Sequence, residues 1–305
     1  MRNFMIIEAP SNLGLKELQP GIEPGVKFFP EALRRNDFAE EAGISQIITV
    51  PAPPYTMDID PDTQVRNADA IINYSQLLAD KVYEAVNKDI IPIVIGGDCS
   101  ILIGTALGLR RTGRPYGLFA MDGHHDYMLP EHSGTAGAAG MGLAFVSGNG
   151  HPKLSDIAQL SPYIREEHIY AFGNREMDPA YVQPIIDSRI SYYDLPAIRE
   201  QGIPAIIKAF LTMNGQAGLD GFWIHLDVDI LDNEIMPCVD SPDAGGLSYE
   251  ELEEALTPLL ASTLFRGMHV TILDPTLDPD NRYTRPFSVW LARLLRKAVT
   301  GFTQD

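Results

Sequence analysis

The sequence predicts a three-layer α/β/α fold with a central, mostly parallel β-sheet. Short apolar segments alternate along the chain with longer segments of helical periodicity. The apolar segments are hydrophobic at nearly every position, which is typical of parallel strands covered on both faces. Three of them end in short acidic motifs, and parallel sheets bind their ligands beyond the carboxyl ends of the strands. We expect the 305 residues to form a single domain, 1–305.

The elements follow from the hydrophobic pattern. Seven apolar runs predict strands at 4–7, 46–50, 90–95, 116–121, 169–172, 221–226 and 269–273. Apolar residues at helical spacing predict helices at 68–86, 101–111, 204–213, 248–260 and 287–299. Pro204 suits a first helical turn, and Ser248 with Glu251 forms a capping-box pattern.

The three acidic motifs indicate a metal site. They read Gly-Gly-Asp-Cys-Ser at 96–100, Asp-Gly-His-His-Asp at 122–126 and Asp-Val-Asp at 227–229. Because alternate residues of an extended segment face the same side, Asp122, His124 and Asp126 are expected to point one way. Asp227 and Asp229 share a face by the same argument. Taken alone, these two are equally typical of carboxylates in a surface turn.

Cys99 has two interpretations. A free cysteine is often an inert core residue. Its place beside Asp98 and beyond a strand favours a metal ligand, because a neighbouring dication deprotonates a thiol. The mixed carboxylate, imidazole and thiolate set suits Mn, Zn, Fe or Ni.

Composition restricts the partners. The formal net charge of −18 argues against nucleic acid and anionic membranes, and it is compatible with a small cationic substrate. With only two cysteines, no disulfide framework is implied, and a reducing cytoplasmic location is expected. No uninterrupted apolar run approaches the ~20 residues that span a bilayer.

The motifs resemble those of the ureohydrolases, the family of arginase, agmatinase and formiminoglutamase. The resemblance covers roughly residues 90–280 and extends through 237–242 and Gly-Gly-Leu-Ser at 245–248. It implies an arginase-like fold and a binuclear centre, with manganese the expected metal and a metal-bridging hydroxide as nucleophile. The implied ligands are Cys99, Asp122, His124, Asp126, Asp227 and Asp229. A homo-oligomer, trimer or hexamer, is implied in the same way.

Three positions depart from the family pattern. Cys99 replaces a ligand histidine, and a softer thiolate favours Zn or Fe over Mn. Ala139 stands where the family has a proton-shuttling histidine. Ile272 stands where the family has a glutamate that grips a guanidinium group, and the nearest acid is Asp274. These changes predict that plain arginase activity is unlikely.

Other residues are candidates for the missing roles. Asp126 and His125 are the expected catalytic groups, with His132 and His151 as further possible proton carriers. The expected substrate-binding residues are Glu176, whose segment Gly-Asn-Arg-Glu at 173–176 resembles the one that holds an acid near the substrate's amino group in arginases, and Asp240 and Asp243, which lie where the family's loop borders the substrate. Asp240 and Asp243 are equally typical of turn carboxylates beside proline.

The sequence therefore predicts a binuclear metallohydrolase acting on linear C–N bonds of guanidino, amidino or related amide compounds. A catalytically silent, metal-binding subunit is the first alternative, and Ala139 and Ile272 motivate it. A deacetylase-like amide hydrolase with a single metal is the second. Metal stoichiometry and a turnover screen discriminate among the three.

Overall fold

The computed structural model describes residues 2–301, which contain one eight-stranded sheet. Its strands run β1 (Asn3–Ala9), β2 (Gln46–Thr49), β3 (Ile90–Gly96), β4 (Tyr116–Met121), β5 (Ile169–Phe172), β6 (Ser191–Tyr193), β7 (Gly221–Asp227) and β8 (Phe265–Thr271). The order across the sheet is β2-β1-β3-β8-β7-β4-β5-β6, and every pairing between these strands is parallel. The arginase-like, largely parallel α/β architecture expected from the sequence is confirmed.

Helices fill the connections between the parallel strands. They are α1 (Phe29–Arg35), α2 (Phe38–Ala42), α3 (Ala68–Asn87), α4 (Ile101–Arg111), α5 (Gly142–Val146), α6 (Pro152–Ser155), α7 (Pro179–Ile186), α8 (Leu195–Gln201), α9 (Ile203–Gln216), α10 (Tyr249–Ala261) and α11 (Thr284–Thr300). The capping box at Ser248 and Glu251 is present at the start of α10. Among residues 2–301, no helix has the length and apolar character needed to cross a membrane.

The two faces of the sheet bury separate hydrophobic clusters. Along β7, Phe222, Ile224 and Leu226 join one cluster, whereas Trp223 joins the other. Strand residues point alternately to opposite faces, so an apolar strand can serve both layers. This explains why the central strands read as continuous apolar runs.

Two strands differ from the prediction. The edge strand β6 was missed because its three residues are only half buried and lack an apolar run. Strand β8 begins at Phe265, earlier than the predicted start at 269, because Arg266 and Gly267 interrupt the apolar pattern. It ends before Ile272, whose φ of 75° leaves the extended conformation.

Candidate metal centre

The acidic motifs meet at the carboxyl edge of the sheet. Cys99 follows β3, the run 122–126 follows β4, and Asp227 ends β7, while β8 lies between β3 and β7. Above them opens a cavity of about 570 Å³ lined by Cys99, His124, Asp126, Asp227 and Asp229, among others. The predicted convergence of these motifs on one edge is therefore observed.

The run 122–126 reaches this edge in a bent conformation, not the extended one assumed from its alternation. It carries no regular secondary structure, and Asp126 has a left-handed φ of 48°. At Gly123, a Cβ atom would lie 2.7 Å from Arg175 Nη2 and 2.9 Å from Asp229 Oδ1, so any larger residue would require these two side chains to shift. After Asp227, the residues Val228–Ile230 form a 3₁₀ turn.

Cys99 and Asp227 form a buried pair. The Cys99 thiol donates to Asp227 Oδ2 at 2.8 Å, and its Sγ lies 3.0 Å from Thr271 Oγ1. Burial, reinforced by Asp227, raises the pKa of the thiol well above its usual value. Burial also raises the pKa of Asp227, with Asp229 and Asp122 adding repulsion. A dication would relieve both costs by taking up the thiolate and the carboxylate.

His124 pairs with Asp229. Its Nδ1 lies 3.0 Å from Asp229 Oδ2, and Asp229 Oδ1 accepts a hydrogen bond from the Gly123 amide at 2.9 Å. Burial opposes a charged ring, but Asp229, followed by Asp122 and Asp126, raises the pKa of His124 to about 10. Without a metal ion, a protonated His124 ring supplies positive charge to these carboxylates; a divalent cation bound here would replace that proton and take up a nitrogen lone pair.

Asp126 also lines the cavity. Burial and the neighbouring Asp122 raise its pKa well above the usual range. Its carbonyl accepts from the amides of Leu143 at 2.9 Å and Ala144 at 3.4 Å, which ties the motif to α5. The main chain at Asp126 is therefore fixed by the start of α5.

Two groups of potential ligand atoms share Asp122. One comprises Cys99, Asp122, His225 and Asp227, and the other comprises Asp122, His124 and Asp229. Within each group the ligand atoms lie within 4.8 Å of one another. Buried acidic groups that repel one another, grouped in two sets around one shared carboxylate, fit a pair of divalent cations.

Comparison with known proteins agrees with this geometry. The model of the arginase family matches residues 3–297. This chain belongs to the arginase family. Its resemblance to the ureohydrolases is thereby confirmed, and membership supports metal binding and hydrolytic activity.

Two arginases, one of them compared by sequence and by structure, illustrate the similarity. The arginase of Bacillus caldovelox is 31% identical over 221 residues, covering 72% of this chain and 74% of that protein. The arginase of Staphylococcus aureus strain COL is 29% identical over 277 residues, covering 90% of this chain and 91% of that protein. The native crystal structure of the Bacillus caldovelox arginase superposes with a TM-score of 0.86 at 28% identity, covering 97% of this chain and 98% of that one.

The histidines proposed as proton carriers lie away from the arginase-family cavity. His125 is buried and stacks on Tyr181 with ring centroids 3.8 Å apart. Its Nε2 lies 2.8 Å from the Tyr181 carbonyl, and its Nδ1 accepts from the Tyr127 amide at 2.9 Å. Burial lowers the pKa of His125 to about 4. Both nitrogens are thus occupied by the backbone, which disfavours the expected catalytic role.

The two loop histidines are also outside the cavity lining. His132 is exposed, and His151 caps α6 by accepting from the Lys153 amide at 3.2 Å. Their positions give neither ring a direct approach to the carboxylates of the centre.

The expected substrate-binding acids occupy different places. Asp240 lines the cavity, and burial raises its pKa. Asp243 is not part of the lining, but its Oδ2 lies 3.5 Å from His124 Nε2, with about half of its side chain exposed. Glu176 does not line the cavity, and its carboxylate accepts from the Asp178 amide at 2.8 Å. The structure therefore brings Asp240 and Asp243 to the site but leaves Glu176 outside it.

Ala139 and Ile272 both line the cavity and are almost fully buried. Ile272 is a β-branched residue at positive φ, a conformation that costs of order 1–3 kcal/mol and persists only where its surroundings impose it. Its amide donates to the Gly97 carbonyl at 2.8 Å, which helps to fix this geometry. Asp274 is not part of the lining; its carboxylate accepts from the amides of Thr276 and Gly25, both at 2.8 Å.

The sequence argument missed part of the lining and one member of the centre. Lys16 and Glu17 reach the cavity from the loop after β1. Their loop approaches closely because Gly14 faces Asp98, where a Cβ atom would lie 2.1 Å from Oδ1. His225 was also missed because it lies inside the apolar run of β7, and its period-two spacing from Asp227 was the available signal.

Proposed function

We propose that this chain is a binuclear metal-dependent hydrolase of linear C–N bonds in guanidino, amidino or related amide compounds. The observation that carries the proposal is the pair of ligand groups sharing Asp122 beneath a cavity of about 570 Å³. Cys99, Asp122, His124, Asp126, Asp227 and Asp229 are the proposed ligands. Manganese is the expected metal by family, and Cys99 favours Zn or Fe by its softness.

Two divalent cations supply Lewis acidity and lower the pKa of water, which is what hydrolysis of an unreactive C–N bond requires. The chain's own groups have separate tasks. We propose that Asp126 orients the attacking water, because its carboxylate lines the cavity beside the centre. Asp240 lines the cavity and Asp243 Oδ2 lies 3.5 Å from His124 Nε2, so both acids are suited to a cationic part of the substrate.

Part of the cavity lining is apolar. Ile272 and Ala139 line the same cavity as Cys99, His124 and Asp227 and present no charge to a substrate there. A guanidinium buried there without a carboxylate would lose a charged hydrogen bond, which costs about 1.5–3 kcal/mol. These residues favour a less charged reacting group than that of arginine. The relatives compared above are named arginases, which does not support a substrate other than arginine. Arginine therefore belongs in any substrate screen.

Ala139 and Ile272 also favour a second candidate, a metal-binding subunit without catalytic activity. Both candidates bind metal, and only one turns over. The test measures metal per chain, then urea and ammonia release from guanidino, amidino and amide compounds after loading with Mn, Zn, Fe or Ni. Two metals per chain with turnover supports the hydrolase. Two metals without turnover of any compound supports the silent subunit, and one metal per chain would favour a deacetylase-like site.

Ile272→Glu sharpens the substrate assignment. It places a carboxylate on the cavity wall, where it can pair with a guanidinium. We expect the KM for arginine to fall by about 10- to 100-fold, corresponding to one charged hydrogen bond. Ile272→Gln is the matched control, since it has the same size without the charge. An unchanged KM in Ile272→Glu would show that the guanidino group does not bind against this wall.

The oligomer and the cytoplasmic location stay predictions. Elution volume in size-exclusion chromatography with light scattering measures the first directly.

A further inference from the structure

A row of buried polar side chains on β7 and β8 extends from the core to the candidate metal centre. Trp223, His225 and Asp227 alternate along one face of β7. Beside them on β8 lie Gly267, which pairs with Trp223, and His269, which pairs with His225. A Cβ atom at residue 267 would lie 2.3 Å from the Trp223 ring, so glycine makes room for the indole.

The indole fixes the proton on His269. Trp223 Nε1, which is always a donor, donates to His269 Nδ1 at 2.8 Å. The nearby Thr105 hydroxyl donates its one proton to the Leu102 carbonyl at 3.1 Å. Burial lowers the pKa of His269 well below its usual value, so the ring is neutral and has one proton. Since Nδ1 accepts, that proton lies on Nε2.

The His269 proton in turn fixes His225. His269 Nε2 contacts His225 Nδ1, and two N–H groups cannot face each other at this contact. His225 Nδ1 must therefore accept, which leaves its proton on Nε2. That nitrogen faces Asp122 Oδ2 at 3.4 Å. Each link points the same way, from the core indole towards the carboxylate shared by the two ligand groups.

We propose that His225 is a positioning residue whose Nε2–H is directed at Asp122 by the chain Trp223–His269–His225, and that it is not a metal ligand. The proposal rests on the metal centre proposed above. Distances alone permit the opposite assignment, because His225 lies with Cys99, Asp122 and Asp227 within one possible ligand group. The direction of the hydrogen bonds decides against it, since a ligand nitrogen must offer a lone pair.

The hydrogen bond from His225 would fix the orientation of Asp122, the carboxylate common to both groups of potential ligand atoms. Its Oδ1 already accepts from the His124 amide at 2.7 Å. A donor on Oδ2 fixes the second oxygen and thereby the plane of the carboxylate. Groups that orient metal ligands in this way typically change metal affinity by about 10–100-fold when removed.

Nitrogen NMR of the full-length protein, labelled with ¹⁵N-histidine, tests the assignment. We expect His225 and His269 to bear their protons on Nε2 both in the chelator-treated protein and after addition of Zn²⁺ or Cd²⁺. Loss of the His225 Nε2 proton on metal addition, or a one-bond coupling between Cd and that nitrogen, would overturn the proposal. The metal-free spectrum tests the chain of hydrogen bonds even if no metal binds, so failure of the metal centre is distinguishable.

Two substitutions at His225 separate positioning from ligation. In His225→Gln, the amide oxygen can accept from His269 while the amide nitrogen donates to Asp122. We expect its Zn²⁺ affinity to stay within about threefold of the parent, whereas His225→Leu loses about 10- to 100-fold. Equal losses in the two variants would contradict a donor role.

Trp223→Phe tests whether the indole of Trp223 fixes the position of the proton on His269. Without the indole donor, His269 can place its proton on Nδ1 and donate to the Thr105 oxygen, 3.2 Å away. We expect the spectrum of His269 to show a mixture of tautomers. The matched control is Trp290→Phe, which removes an indole that donates to Glu253 at 3.2 Å on another part of the molecule. A single Nε2–H tautomer of His269 in Trp223→Phe would contradict the proposed relay.

Discussion

The floor of the cavity and its rim differ in how firmly the chain holds their side chains. On the floor, Asp122, Asp227 and Asp229 are almost fully buried, and each accepts a backbone amide. On the rim, Lys16 is exposed and Asp243 is about half exposed. The floor is built to keep one geometry, and the rim is built from loops that meet the solvent. We therefore expect a metal to be held by the residues at the strand ends, and the choice of substrate to depend on the loops.

The largest expected effect is a loss of metal affinity caused by a substitution on the floor of the cavity. Asp227→Asn keeps the shape of the side chain but removes the carboxylate that accepts from Cys99 and belongs to the first ligand group. We expect metal affinity to fall by more than the about 100-fold typical of residues that only orient ligands. Metal per chain after dialysis, measured by elemental analysis, checks this. Asp280→Asn, at an exposed position, is the control, and full metal content in Asp227→Asn would contradict the assignment.

A second prediction concerns the backbone under the floor. In Gly97→Ala, the new Cβ atom would lie 1.5 Å from the Ser11 carbonyl oxygen, so the two loops must separate. We expect the free energy of unfolding to fall by about 3 kcal/mol or more, at the upper end for overpacking. The control is Gly215→Ala in α9, where the Cβ meets no atom within 4 Å. Chemical denaturation should show that the control is unchanged or more stable, and equal effects would refute the clash.

The third prediction concerns the metal preference of the floor. Cys99→Ser replaces a soft sulfur by a hard oxygen of similar size. We expect affinity for Zn²⁺ and Cd²⁺ to fall by about tenfold more than affinity for Mn²⁺, following ligand softness. Competition with a chromophoric chelator measures all three. Cys238→Ser, which alters the other buried cysteine, is the control, and a uniform loss for all metals would argue against sulfur ligation.

The smallest effect is expected on the rim. Asp243→Asn removes a half-exposed carboxylate 3.5 Å from His124 Nε2. Exposed pairs of this kind contribute about 0–1 kcal/mol, so metal affinity should change by less than about fivefold. Isothermal titration with the metal checks the prediction. A loss as large as that of Asp227→Asn would place Asp243 among the floor residues.

The contrast between floor and rim also explains which parts of the site could be predicted from the sequence. The floor was predictable because Asp122, His124 and Asp227 follow apolar strands, and parallel strands bring such motifs to one edge. The local conformation was not predictable, because the bend at 122–126 includes a hydrogen bond from the Gly123 amide to Asp229, a residue 106 positions further along the chain. Glu176 shows why loop residues were harder to place: an acidic residue in a loop belongs to no periodic pattern from which the direction of its side chain can be predicted.

His225 and His269 show a different limit. Each stands inside an apolar strand, and the pattern gives no sign that the two rings pair across β7 and β8. The pairing depends on strand order, which places β8 next to β7 although α10 separates them along the chain. Side chains whose role depends on a neighbouring strand become visible only with the topology.

The strand order also has a consequence for the order of assembly. Strands β7 and β8 are late in the chain, yet they occupy the centre of the sheet between β3 and β4. Until both are inserted, Cys99 lies on one half of an open sheet and Asp122 on the other, so the ligand set does not exist. During synthesis, the ribosome must release most of the chain before the centre can form. Capture of a metal ion therefore reports that the last strands have closed the sheet.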